Sequence, residues 1–247
     1  MKKLPYLLSI ITFLFIWQLA ALYADSSLII CGPVEVVSTL FNLVQTKGFW
    51  LNILFTFVRV MAGFSITLIT GTILGFVRGK SFFWDRFLDF PFSLLKTTPV
   101  AALILILIFA FNSNLIPVIS SVLMCLPVMS ECVKNGIIWD KDNLNQKKLY
   151  EMAEIFRFSK IQKFIHIFFP AFRSFFNTGI CSTFGMCWKV VAAGEILTVP
   201  RFAAGTFLYK NQVNLETSSV FAMTIVLVVL SSIFEGLLKW LLKTSQK

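Results

Sequence analysis

From Thr97 to Ser130 the chain runs for 34 residues without one charged side chain. A soluble helix keeps a polar stripe along its length, so a run this long has no place in a water-soluble fold. Crossing about 30 Å of hydrocarbon takes roughly 20 apolar residues, which makes the run too long for one membrane helix and suited to two. Asn112-Ser113-Asn114 divides it. Composition agrees: 14% of residues are charged, against about 25% in a typical soluble domain, 57% are hydrophobic, and mean hydropathy is +0.82. Disordered, fibrous and ordinary cytosolic-enzyme classes are excluded, and the fold class expected is an all-α integral membrane protein.

Six spans follow. Leu4 to Ala24 is uncharged and preceded by Lys2 and Lys3; it is too long for the apolar part of a cleaved signal, and Leu22-Tyr23-Ala24 is a poor cleavage site. Val60 to Val77 lies between Arg59 and Arg78, with Gly63, Gly71 and Gly75 placed to admit a close neighbour. The divided run supplies two spans. The first begins near Phe90 and carries Pro91, Lys96 and Pro99; the second carries Pro117 and Pro127 and ends near Glu131. Ser174 to Glu195 and Thr217 to Phe234 complete the set. We expect one membrane domain over 1–247, with a core at about 50–240 and an extra N-terminal helix at about 4–24.

The formal charge of +10 does not indicate nucleic acid, which requires a basic face on a soluble fold. In a membrane protein its placement sets orientation. With the N-terminus inside, the inner segments hold sixteen Lys and Arg, while the outer loops hold Lys47, Arg201 and Lys210. Both termini are therefore expected in the cytoplasm.

The longest polar segment, Val133 to Arg173, has its own periodicity. Leu149, Met152, Ala153 and Phe156 recur at helical spacing, and Ile161, Phe164, Ile165 and Phe168 repeat it. Two short amphipathic helices joined by a bend are expected. They either lie on the inner leaflet or form a protein-docking surface.

Glu151-Met152-Ala153, then Ser159, Phe164 and Phe169-Pro170-Ala171-Phe172, resemble the EAA loop of the membrane subunits of binding-protein-dependent ABC importers. Gly179, Trp188 with Val191-Ala192-Ala193-Gly194-Glu195, and Gly205-Thr206-Phe207-Leu208 extend the likeness downstream. Cys31-Gly32-Pro33-Val34-Glu35-Val36, Thr56-Phe57-Val58-Arg59-Val60 with Gly63-Phe64, and Pro99-Val100-Ala101 are similar to the nitrate, sulfonate and taurine type of permease. The resemblance covers about residues 28 to 240. It implies a coupling helix between spans four and five, with Tyr150, Glu151, Met152, Ala153, Glu154, Phe156, Arg157, Ser159 and Pro170 meeting a cytoplasmic ATPase. It also implies an extracytoplasmic solute-binding protein and a second permease copy, identical or similar. The segment holding Trp188, Lys189, Glu195 and Gly205 would lie at the outer gate, and the solute would be a small anion or a vitamin-like precursor. Arg157 stands where the family has Gly, and Met152 replaces an alanine. Arg157 either accepts a strained positive φ or makes a charge contact with the ATPase, the contact being the preferred reading.

The remaining candidates have plainer alternatives. Lys189 and Glu195 either belong to a pathway or sit at the outer interface. Lys96 either faces a pore or snorkels inward. Arg59 and Glu131 are read as the ends of their spans, and His166 as a solvated residue. The five cysteines give no expected disulfide framework and no metal site. The chain has no Gly-rich phosphate loop, so no cofactor is expected on it and ATP would be used by the partner. The competing class is an ATP-independent secondary transporter or small channel, marked by inverted repeats and interrupted helices with carboxylates near the midplane.

Overall fold

The structure, a computed structural model, describes residues 4–24, 29–142 and 144–244. Among them every regular element is helical: α1 (Leu4–Ala24), α2 (Pro33–Val44), α3 (Lys47–Lys80), α4 (Phe82–Thr97), α5 (Val100–Ile108), α6 (Ile116–Asp142), α7 (Leu144–Ile155), α8 (Lys160–Lys163), a π-helical turn (Phe164–Phe168), α9 (Phe169–Thr198), α10 (Ala204–Val213) and α11 (Thr217–Thr244).

The core is the triplet α3, α6 and α9, with α6 packed between the other two. Small residues let α3 and α6 touch. A Cβ on Gly75 would stand 2.5 Å from the Val133 Cβ, so only glycine permits this spacing. Met129, Val133, Phe172, Phe184, Cys187 and Val191 fill the space between the helices.

Among the described residues four helices are long and apolar enough to cross a membrane: Lys47–Lys80, Ile116–Ile138, Lys160–Thr198 and Thr217–Lys243. A fifth span arises if the bent pair α4 and α5 is counted as one.

Several expected boundaries are corrected. The span read as Val60 to Val77 is a 34-residue helix, with Arg59 well inside it. Residues 48–58 are themselves uncharged, so nothing ends the helix there, and the Arg59 charge is neutralised by a partner on α9. The next span is not one helix from Phe90. It begins at Phe82 and breaks, so that α4 and α5 meet at 98°. Pro99 is the cause: it pushes Thr98 to an extended ψ of 127° and has no N–H to continue the ladder. An interrupted helix, which the rival class predicts, is thus present.

Glu131 does not end its span, because α6 runs on to Asp142 and carries Pro127 inside it. The second loop helix is not separate either, since α8 and the π-turn feed directly into α9. Phe164, Phe168, Phe172 and Phe176 stack in sequence at 5.3, 5.5 and 5.6 Å between centroids, and this ladder carries the helix through the junction. Pro170 falls where the π-turn hands over to α9, just after the Phe169 N–H has taken the Phe164 carbonyl five residues back, so the usual ladder is already interrupted there.

Candidate functional site

Near the start of α3 and the end of α9, a buried polar knot closes one end of the bundle. Glu195 is fully buried, and its Oε1 accepts from Arg59 Nη1 at 2.8 Å. Its Oε2 accepts from the Thr56 hydroxyl at 2.8 Å and from the Gly205 N–H at 3.1 Å. Arg59 also donates to the Phe202 carbonyl at 2.8 Å and to Asn114 Oδ1 at 3.2 Å. Thr56 Oγ1 in turn accepts from the Ala204 N–H at 2.9 Å. A buried ion pair recovers its desolvation cost only when further hydrogen bonds meet its polar atoms, and here both Glu195 oxygens and both terminal nitrogens of Arg59 are engaged. Four segments are thereby joined: α3, the turn before α6, α9 and the loop into α10.

Local backbone shapes this knot. Val199 ends α9 with φ 47°, a left-handed conformation unfavourable for a β-branched residue, and Pro200 follows. The reversal brings Gly205 so close that a Cβ there would lie 2.5 Å from the Glu195 Cβ.

At the other end of α6, α7 buries Ala153, 4% exposed, and half-buries Tyr150, while Leu149, Met152, Ile155 and Phe156 stay 45%, 52%, 78% and 69% exposed. The helix closes in a Schellman arrangement: the Phe158 N–H reaches the Ala153 carbonyl at 2.8 Å and the Arg157 N–H reaches that of Glu154 at 3.0 Å. Arg157 occupies the left-handed position, φ 54°. Ser159 then starts α8 with a capping box to Gln162, and Lys163 pairs with Glu154 at 3.1 Å across the bend.

Residues 67–245 match the family described as binding-protein-dependent transport system inner membrane component. The chain belongs to that family. It is similar to the nitrate import permease protein NrtB of Synechococcus elongatus, 28% identical over 78% of this chain and 71% of the relative. NrtB of Leptolyngbya laminosa is 24% identical over 80% and 71%. The bicarbonate transport system permease protein CmpB of Synechococcus elongatus is 24% identical over 95% and 86%. The chain is accordingly a multi-pass inner-membrane permease of an ABC importer, and the interrupted helix is a feature of that permease rather than a sign of the rival class.

Within the permease, Glu195 and Gly205 meet in the knot, whereas Lys189 stands exposed on α9 and does not pair with Glu195. Trp188 is buried in an aromatic cluster with Phe57, Phe184 and Phe234. Lys96 belongs to a different group. Its Nζ is 3.8 Å from Glu131, within a cluster where Arg78 pairs with Asp85 at 2.9 Å and Glu131 at 3.1 Å, and Lys134 reaches Asp85 at 3.0 Å. Of the loop residues, Glu151, Met152, Glu154, Phe156, Arg157, Ser159 and Pro170 are exposed, Tyr150 is half-buried and Ala153 is buried. The sequence reading missed Arg59, Thr56 and Arg78 as interior groups. A usable signal existed at Arg59, because uncharged sequence continues on both sides of it.

Proposed function

We propose that this permease forms half of an anion-conducting pathway, with α7 and its bend receiving a cytoplasmic ATPase and the Arg59–Glu195 knot closing the outer end. The observation that carries the proposal is the exposed apolar face of α7, Leu149, Met152, Ile155 and Phe156, which no part of the described chain covers. Four apolar side chains beside Glu151 and Glu154 suit a cleft on a protein partner lined with apolar and basic groups.

The finer topology belongs to the same proposal. Counting α1 and the broken α4–α5 pair gives six spans in one membrane domain, 1–247, with both termini and α7 in the cytoplasm and the knot outside. The sixteen-to-three distribution of Lys and Arg supports that orientation. A second copy or a similar chain completes the pathway, an extracytoplasmic binding protein delivers the solute, and ATP is bound by the partner. The relatives named for nitrate and bicarbonate import support a small anion as solute. Co-purification tests the coupling role: Met152→Glu and Ile155→Glu should lose the ATPase while inserting normally, and full retention of the ATPase by both would refute it.

A further inference from the structure

Beside the knot, Asn52 on α3, Arg201 in the loop after α9, and Thr206, Lys210, Asn211 and Asn214 on and after α10 line a cleft of about 390 Å³. Its lining contains no carboxylate. Arg201 and Lys210 are exposed and make no ion pair among the described residues. Of the three cations assigned to the outer loops, two therefore point to one concavity, and the third, Lys47, adjoins its Gly48 wall.

One amide is set as a donor. Asn52 Oδ1 is already taken by the Ala203 N–H at 3.1 Å, leaving its N–H₂ end as what it can offer a ligand. Asn211 is 9% exposed and anchored to the Phe207 carbonyl at 2.7 Å, so it forms a fixed inner wall. The Arg201 guanidinium lies over the Phe202 ring at 5.2 Å, and stacking of this kind holds the planar fork ready for two oxygens.

We propose that this cleft is a receiving site for a small oxyanion on the permease itself. The inference rests on the outward orientation and the anionic solute proposed above. Unpaired cations, the Asn52 amide donor and no carboxylate match an anion, and the recess with its buried Asn211 favours a small one over the flat acidic face of a protein. The site is also joined to the knot: Phe202, beneath Arg201, gives its carbonyl to Arg59, and Asn52 holds the backbone next to Ala204. An anion seated there touches the loop that closes the outer end.

Titration calorimetry on the permease–ATPase complex in nanodiscs, without binding protein, tests this with sodium nitrate and sodium bicarbonate at constant ionic strength. Saturable binding of at least one anion is expected, weakened tenfold or more by Arg201→Gln and by Lys210→Gln, less by Arg201→Lys, and unchanged by Lys243→Gln. Absence of saturable binding in the wild type, or binding indifferent to both Gln variants, overturns the proposal. Capture of the binding protein is measured on the same variants; loss of capture with unchanged anion affinity would make the cleft a protein-docking surface and also overturn it. In proteoliposomes with the binding protein, failure of the wild type to move any small oxyanion would refute the anion reading of the function. Transport with an unchanged KM in both Gln variants would refute the receiving site alone.

Discussion

Arg59 and Glu195, 136 residues apart in sequence, meet at 2.8 Å with almost no exposure to solvent. Neutralising one partner strands the other charge in the interior. Glu195→Gln should therefore destabilise the permease by about 3–5 kcal/mol, and the double change Arg59→Met with Glu195→Leu should cost less than either single change. Thermal unfolding in detergent measures both, and additive losses would show that the two side chains act independently.

Gly205 is required by contact rather than by backbone conformation. Gly205→Ala places a methyl against Glu195 and Ile196 and should cost about 1–3 kcal/mol, with reduced transport. Gly236→Ala, which meets nothing within 4 Å, is the control and should be neutral or slightly stabilising. Equal behaviour of the two variants in unfolding would remove the steric account.

Arg157 holds a positive φ of 54°, where glycine would be unstrained. Arg157→Gly should raise stability by about 1 kcal/mol by relieving the left-handed strain. Arg157→Lys keeps the strain and should leave stability unchanged. Loss of transport and of the ATPase in both variants would instead reveal a specific charge contact at this position.

The buried and exposed sides of α7 should separate in experiment. Ala153→Asp puts a charge into packed interior and should reduce both stability and ATPase retention. Met152→Glu should reduce retention alone. A stability loss in Met152→Glu as large as in Ala153→Asp would mean that α7 is held differently.

Thiol labelling with an impermeant maleimide should reach cysteines placed at Asn112 and Gln212 from outside intact cells, and one at Ser159 only after the membrane is opened. Native Cys31 should stay silent, because burial, helped by Glu35, raises its thiol above the usual range and keeps it protonated. Labelling at Ser159 from outside would reverse the proposed orientation.

Much of the helical plan was legible in the sequence because bilayer length and charge leave few choices. The Asn112–Asn114 divider and the glycine seam of α3 behaved as their residue types dictate. The break at Pro99 was harder to read, since proline is tolerated in some membrane helices and Pro127 shows one such case within α6. The knot was hidden for another reason. Arg59 has the appearance of a boundary charge until Glu195, over a hundred residues later, is brought beside it, and no local pattern reports that pairing. At Arg157 the sequence left a strained positive φ and a charge contact both open, and the φ of 54° emerged only in three dimensions.

The phenylalanine ladder has a mechanical consequence. By running α8, the π-turn and α9 together, it makes Lys160–Thr198 one rod of 39 residues, about 58 Å long at 1.5 Å per residue. One end begins a single residue after the bend at Ser159, and the other carries Glu195. A rod behaves as a lever: a 10° tilt about its middle moves each tip by about 5 Å, more than enough to part a 2.8 Å contact. A displacement at the α7 end of the rod thus reaches the Arg59–Glu195 end through one continuous helix, with Gly179 near the pivot, where a Cβ would come within 2.9 Å of Cys132.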